Sequence, residues 1–318
     1  MGRQGINPCP VPPVVDDDAG ASSDGSMFLD PGGICALPDG AKLVGQLVAA
    51  AEEAGTLMIL SAMSSTTMED VRFSAPNLVL WQQLYIFRNR SLTSSLVRRA
   101  EIQGMAAIVV TVDSPISGQA SFIAKNGFLL PKGVSLANLD AWDPDHPFSL
   151  DPTSEGFIGV HHLPSSTWDD ILWLRSITSL PIVAKGILTP QDAIKAVNHG
   201  VAAVIVSNHG GRILDGTPAT IEALPEIVAA VGDRTEVYMD GGIRSGADAV
   251  KALSLGARVV FIGRPVLWGL AYNGQKGVET VLSVLHDELL RTMQLLGCPN
   301  SNDLNRDYVV REEYYRQF

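Results

Sequence analysis

The sequence predicts an α/β fold, a (β/α)8 TIM barrel whose first strand is missing or degenerate. Three observations predict it. From Ala41 onward, apolar runs of strand length alternate with amphipathic stretches of helix length. The strand-length runs are apolar throughout rather than alternating, which suits parallel strands buried on both faces. Polar and titratable residues collect at the C-terminal ends of those runs, the end of a parallel barrel where active sites are built.

The strand runs are 56–61 (TLMILS), 79–85 (VLWQQLY), 106–113 (AAIVVTVD), 180–185 (LPIVAK), 201–208 (VAAVIVSN), 236–240 (EVYMD) and 257–262 (ARVVFI). The helices between them carry ordinary punctuation. In "TPQDAIKAVNHG", Thr189 suits an N-cap, Pro190 the first helical position and Gly200 the stop; "SGADAVKALSLG" repeats the arrangement from Ser245 to Gly256. The long gap between Asp113 and Leu180 reads as a loop followed by a helix at about 167–178. Seven strands are visible where a closed barrel needs eight. The eighth should precede Ala41, yet "SMFLDPGGICAL" (26–37) is interrupted by Pro31, Gly32 and Gly33. Residues 1–33, rich in Pro, Asp, Gly and Ser, read as a disordered or irregular tail, and 34–318 as one barrel domain.

Composition narrows the function. The 318 residues are 46% hydrophobic and carry a net charge of −11, which speaks against a nucleic-acid or anionic-membrane surface. No apolar run approaches the roughly 20 residues of a membrane span, and the N-terminus lacks a secretory pattern. Cys9, Cys35 and Cys298 are far apart and without CxxC spacing, so a reducing compartment is expected, with no metal site and no disulfide frame.

The chemistry lies at the strand ends: Ser61; Gln83 and Tyr85; Thr111 and Asp113; Lys185; Ser207 and His209; Asp240; Gly263 and Arg264. His209 stands out from His146, His161, His162, His199 and His286 because Gly210, Gly211 and Arg212 follow it. The glycines permit close backbone approach to a ligand, and a guanidinium beside a base suits a carboxylate substrate. Asp113 reads either as a turn residue or as the partner that orients His209. Lys185, after "PIVA", reads as a Schiff-base lysine, a phosphate ligand or an anion stabiliser. "MDGGIRSG" (239–246) and "FIGRP" (261–265) resemble a phosphate cup, with glycine-freed N–H groups beside Arg244 and Arg264.

Through "SNHGGRILD", "YMDGGIRSGADAVKALSLGA" and "IGRPVLWGLAYNG", the sequence resembles the FMN-dependent 2-hydroxy acid oxidase and dehydrogenase family, the glycolate oxidase group. The likeness extends to "MILSAMSSTTMEDV", "WQQLY", "VVTVDSP" and "KNGFLLP". It implies a (β/α)8 barrel that binds FMN and oxidises a small 2-hydroxy acid to a 2-oxo acid, passing electrons to oxygen or another acceptor. By resemblance His209 is the base, Asp113 its partner, Arg212 the carboxylate ligand and Tyr85 a substrate contact. Ser61, Gln83, Thr111, Lys185 and Ser207 hold the flavin ring and ribityl chain; Asp240, Gly241, Gly242, Arg244, Gly263 and Arg264 hold the ribityl tail and phosphate. A homotetramer and a peroxisomal address are also implied, although the C-terminal Arg-Gln-Phe is not the simple Ser-Lys-Leu signal; the other address is the cytoplasm.

The sequence departs from the family pattern in several places. The arginine expected after "DSPISG" is Gln119, which removes one charge-assisted contact, about 1.5–3 kcal/mol. The N-terminal segment with its substrate-binding tyrosine has no counterpart, and "LDPGGIC" stands where the first strand's Pro-Thr-Ala loop is expected, leaving flanking strand edges unpaired. Met63 stands where a tryptophan is expected. These departures keep open a catalytically impaired flavin-binding or subunit-interaction relative; another phosphate-binding barrel, without flavin, is a further alternative that the His209–Arg212 pair beside Lys185 speaks against.

Overall fold

A computed structural model describes residues 27–29, 40–115, 134–143, 145, 148 and 166–315. Its strands are β1 (Met27–Leu29), β2 (Leu57–Leu60), β3 (Val79–Leu84), β4 (Ala107–Thr111), β5 (Ile182–Ile187), β6 (Ala203–Val206), β7 (Glu236–Asp240) and β8 (Val259–Ile262). They pair in parallel and in sequence order around a closed barrel. The seven runs read from the sequence are β2–β8. β1 is the degenerate member: three residues pair with β8 but only Leu29 with β2, at Met58. It stops just before Asp30 and Pro31, where the imide would remove a ladder donor. The expectation of open edges is thus corrected in part, since both flanking strands gain pairing to β1. These three residues fall in the stretch read as tail; the rest of 1–33 lies outside the described residues.

The helices are α1 (Gly40–Glu53), α2 (Met68–Ser74), α3 (Arg90–Ile102), α4 (Ala137–Asp140), α5 (Trp168–Ile177), α6 (Pro190–Asn198), α7 (Thr220–Val231), α8 (Gly246–Ser254), α9 (Arg264–Leu296) and α10 (Glu312–Tyr315). The caps read from the sequence form: Thr189 accepts from Asp192 N at 3.2 Å, and Ser245 from Asp248 N at 3.2 Å. Gly200 and Gly256 follow with positive φ.

Strand periodicity builds two cores. Leu57, Ile59, Trp81, Ala107, Val109, Val183, Ala203, Ile205, Tyr238, Val259 and Phe261 point inward and fill the barrel. Trp81, Tyr238 and Phe261 form its aromatic centre, with ring centroids 5.9–6.2 Å apart. The alternate residues face the helices and join a larger outer core. One further inward step along the strands leads from this apolar filling to Ser61, Gln83, Thr111, Lys185, Ser207, Asp240 and Gly263. The period of two therefore carries a polar ring to the mouth directly above an apolar core.

Candidate active site

Ser207, at the end of β6, links the two charged groups of the mouth. Its hydroxyl accepts from Lys185 Nζ at 3.3 Å and from the backbone N–H of His209 at 3.1 Å, and donates to Asp240 Oδ2 at 2.9 Å. Lys185 Nζ also lies 3.3 Å from Asp240 Oδ2. Lys185, Ser207 and Asp240 are all buried. A buried ammonium in this setting is held by its carboxylate and is not a surface lysine.

On the neighbouring side, Gln83 Nε2 donates to Thr111 Oγ1 at 3.0 Å, while Gln83 Oε1 accepts from Ala62 N at 3.2 Å. Both ends of the amide are engaged, so its orientation is fixed. Ser61 is half-buried, and its Oγ accepts from Met63 N at 3.1 Å. Asn138 on α4 was not singled out in the sequence, yet it ties this loop down. Its Oδ1 accepts from Met68 N at 2.8 Å, and its Nδ2 donates to Ser61 O and Thr66 O at 3.4 and 3.3 Å. A lone Asn in "SLANLD" carries no local signal of this long-range role.

His209 sits at φ +57°, the left-handed region that side chains rarely adopt, within the single turn His209–Gly211. Its Nδ1 pairs with Asp113 Oδ1 at 2.8 Å, with both side chains mostly buried. A carboxylate only accepts, so Nδ1 is the donor in this pair, and in the neutral imidazole that leaves the lone pair on Nε2. Of the two readings of Asp113, the geometry selects the histidine partner. Gly210 and Gly211 follow with φ +66° and +72°. Arg264 Nη2 donates to Gly210 O at 2.9 Å, which brings the last strand's arginine to the histidine turn.

Gly241 and Gly242 follow β7 with φ +84° and +80°, and a side chain at Gly242 would meet open space. Gly263 precedes the first turn of α9, where helix N–H groups point outward. Arg244 lies over the Trp268 ring at 5.1 Å and bonds Ile243 O at 3.0 Å, so the two glycine turns adjoin. Arg212 is exposed and makes no hydrogen bond to the described residues. Tyr85 is half-buried beside a cavity of about 430 Å³, which it shares with Thr111, Ser114, Gly186, Ile187 and Trp168. That cavity runs beside the polar ring and does not include His209 or Lys185. Gln119 and "KNGFLLP" lie outside the described residues, as do His146, His161 and His162. His199 caps α6 through Lys195 O, and His286 is exposed; neither approaches the mouth. No cluster able to hold a metal occurs among the described residues.

The arrangement fits a flavin mononucleotide. A buried cation and the Gln83–Thr111 pair offer polar contacts to a ring, while positive-φ glycines and the N-terminus of α9 offer N–H groups to a phosphate.

Comparison with known proteins agrees. The family model for FMN-dependent dehydrogenases matches residues 20–311. The chain is 46% identical over 266 residues to 2-hydroxyacid oxidase 1 of Homo sapiens, covering 82% of this chain and 72% of that protein. It is 47% identical over 272 residues to the L-lactate oxidase of a Nostoc strain, covering 82% and 73%. Among solved structures, a mandelate oxidase variant with (S)-mandelic acid superposes with a TM-score of 0.76 at 37% identity, covering 90% of this chain and 78% of that one. The chain belongs to the FMN-dependent dehydrogenase family, flavoprotein oxidoreductases built on a (β/α)8 barrel.

Proposed function

We propose that the chain is an FMN-dependent (S)-2-hydroxy acid oxidase or dehydrogenase, converting a small 2-hydroxy acid to its 2-oxo acid. The observation that carries this reading is the His209–Asp113 pair, joined through Ser207 to the buried Lys185. It is a proton acceptor and a fixed cation on one barrel mouth. The oxidation removes two electrons and two protons from the substrate's hydroxyl-bearing carbon and its oxygen. FMN, when bound, takes the electrons and passes them to oxygen or another acceptor. His209 takes a proton at Nε2, and Asp113 steadies the imidazolium that results. Arg212, with no partner among the described residues, pairs with the substrate carboxylate. Tyr85 contacts the same substrate.

Lys185, Gln83, Thr111, Ser61 and Ser207 would hold the flavin ring and ribityl chain. Lys185 would supply a fixed positive charge beside the flavin ring, which favours its accepting electrons. Asp240, Gly241, Gly242, Arg244, Gly263 and Arg264 would hold the ribityl tail and phosphate. The proposal includes a homotetramer, read by light scattering, and a peroxisomal address, read from a tagged chain.

The test is to purify the protein, record flavin absorbance, and add glycolate, (S)-lactate and (S)-mandelate without oxygen. Bleaching by at least one of them is expected. Retained yellow colour with no bleaching by any would favour the catalytically impaired relative instead.

A further inference from the structure

We propose that Gly186 is a positioning residue for the proton-accepting pair: its bare Cα is the surface on which the Asp113 carboxyl rests, and a side chain there would take Asp113 off His209. The inference rests on the reading of that pair given above.

Regular pairing along β5 would point Val183, Lys185 and then residue 187 into the barrel. The ladder to β6 breaks this order. Lys185 pairs with Ile205, but Ile187 pairs with Val206, with Gly186 as the extra residue. The bulge turns Ile187 into the outer core, where it is buried. An isoleucine that would have faced the mouth is thereby removed, and Asp113 from the adjacent strand end lies against Gly186. Val112 N still bonds Lys185 O at 2.9 Å, so the two chains run together up to this point.

A Cβ built on Gly186 would lie 2.6 Å from both Cβ and Cγ of Asp113, and 2.9 Å from its backbone N. Asp113 N and Cβ are fixed by the backbone, so rotating the side chain cannot relieve these contacts, and the chain at Asp113 must move away as a unit, its carboxyl with it. Gly186 also has φ +109°, a conformation that side chains rarely adopt. Asp113 has little else to orient it. Oδ1 bonds His209, while Oδ2 is buried and accepts no hydrogen bond among the described residues. Packing against Gly186 therefore sets the carboxylate plane, and the carboxylate sets the His209 ring.

The experiment uses the flavin-loaded protein with 15N-labelled histidine. The His209 Nδ1–H resonance, assigned by its loss in His209→Gln, reads the pairing without substrate. Gly186→Ala is expected to abolish or strongly shift this resonance and to lower kcat about a hundredfold with little change in KM, the scale of a displacement near 1 Å. Gly104→Ala is the control for backbone strain, at φ +64° with nothing within 4 Å. It is expected to lose stability and leave the resonance in place.

Asp113→Gly combined with Gly186→Ala removes both carbon atoms met at 2.6 Å. It is expected to regain thermal stability over Gly186→Ala alone while turning over no faster than that variant. An unchanged resonance in Gly186→Ala overturns the proposal, as does a double variant no more stable than the single one. If the resonance behaves as expected but the parent protein oxidises no hydroxy acid, the proposed function fails and the positioning role stands.

Discussion

Ser207 uses every hydrogen-bonding position it has, two accepting and one donating, to hold Lys185, the His209 backbone and Asp240 in one piece. At the residue scale these mutual hydrogen bonds preorganise the site, which lowers the cost of ordering it on binding. The same preorganisation makes it fragile. Lys185→Met removes the ammonium 3.3 Å from a carboxylate that is itself buried. Breaking one half of such a pair costs about 3–5 kcal/mol. Urea unfolding of the flavin-free protein should show that loss, and flavin should no longer co-purify. A variant of parental stability that purifies yellow would contradict this account of Lys185.

Between elements, the loop after β2 is held from outside the barrel. Arg99 on α3 grips Glu69 on α2 with two hydrogen bonds, Nε to Oε1 at 2.8 Å and Nη2 to Oε2 at 2.7 Å, and its Nη1 donates to Asn138 O at 2.7 Å. The Arg99 hydrogen bond holds the Glu69 carboxyl below its usual range, against the opposing effect of partial burial. A depressed carboxyl contributes stability above its unfolded pKa, and that contribution is lost as pH falls through the folded value. Because Glu69 is substantially exposed, the contribution is about 0.5–1 kcal/mol. Glu69→Gln should lower stability by that amount at pH 7, and the difference should vanish in acid. A pH-independent difference would mean that the carboxyl's charge plays no part.

This clamp was not legible in the sequence, because Glu69, Arg99 and Asn138 come from three distant segments and none has a local signature. The βα order, the caps at Thr189 and Ser245 and the polar strand ends were legible. They follow from local rules: a period of two in strands, a period near 3.6 in helices, and capping chemistry at their junctions. The His209–Asp113 pair was anticipated only as one of two readings, since which strand ends meet depends on register. β1 was the weakest reading because three residues before a proline carry almost no pattern.

At the scale of the whole molecule, closure depends on that short strand. Met27, Phe28 and Leu29 pair with Val260, Phe261 and Ile262, and Phe261 belongs to the aromatic centre beneath the mouth. Phe28→Pro removes a ladder donor at the middle of β1. Thermal unfolding should begin several degrees lower and soluble yield should fall, as expected where strand edges are left unpaired. An unchanged melting curve would mean that the remaining seven strands sustain the barrel without β1. In the proposed reaction His209, steadied by Asp113 and set beside Lys185, accepts the proton in oxidation of a 2-hydroxy acid. The most direct measurement is the anaerobic rate of flavin bleaching by such an acid in the parent protein and in His209→Gln. Bound flavin is expected in both, with bleaching slowed about 10²- to 10⁴-fold in the variant; bleaching at the parental rate in His209→Gln would remove His209 from the role of proton acceptor.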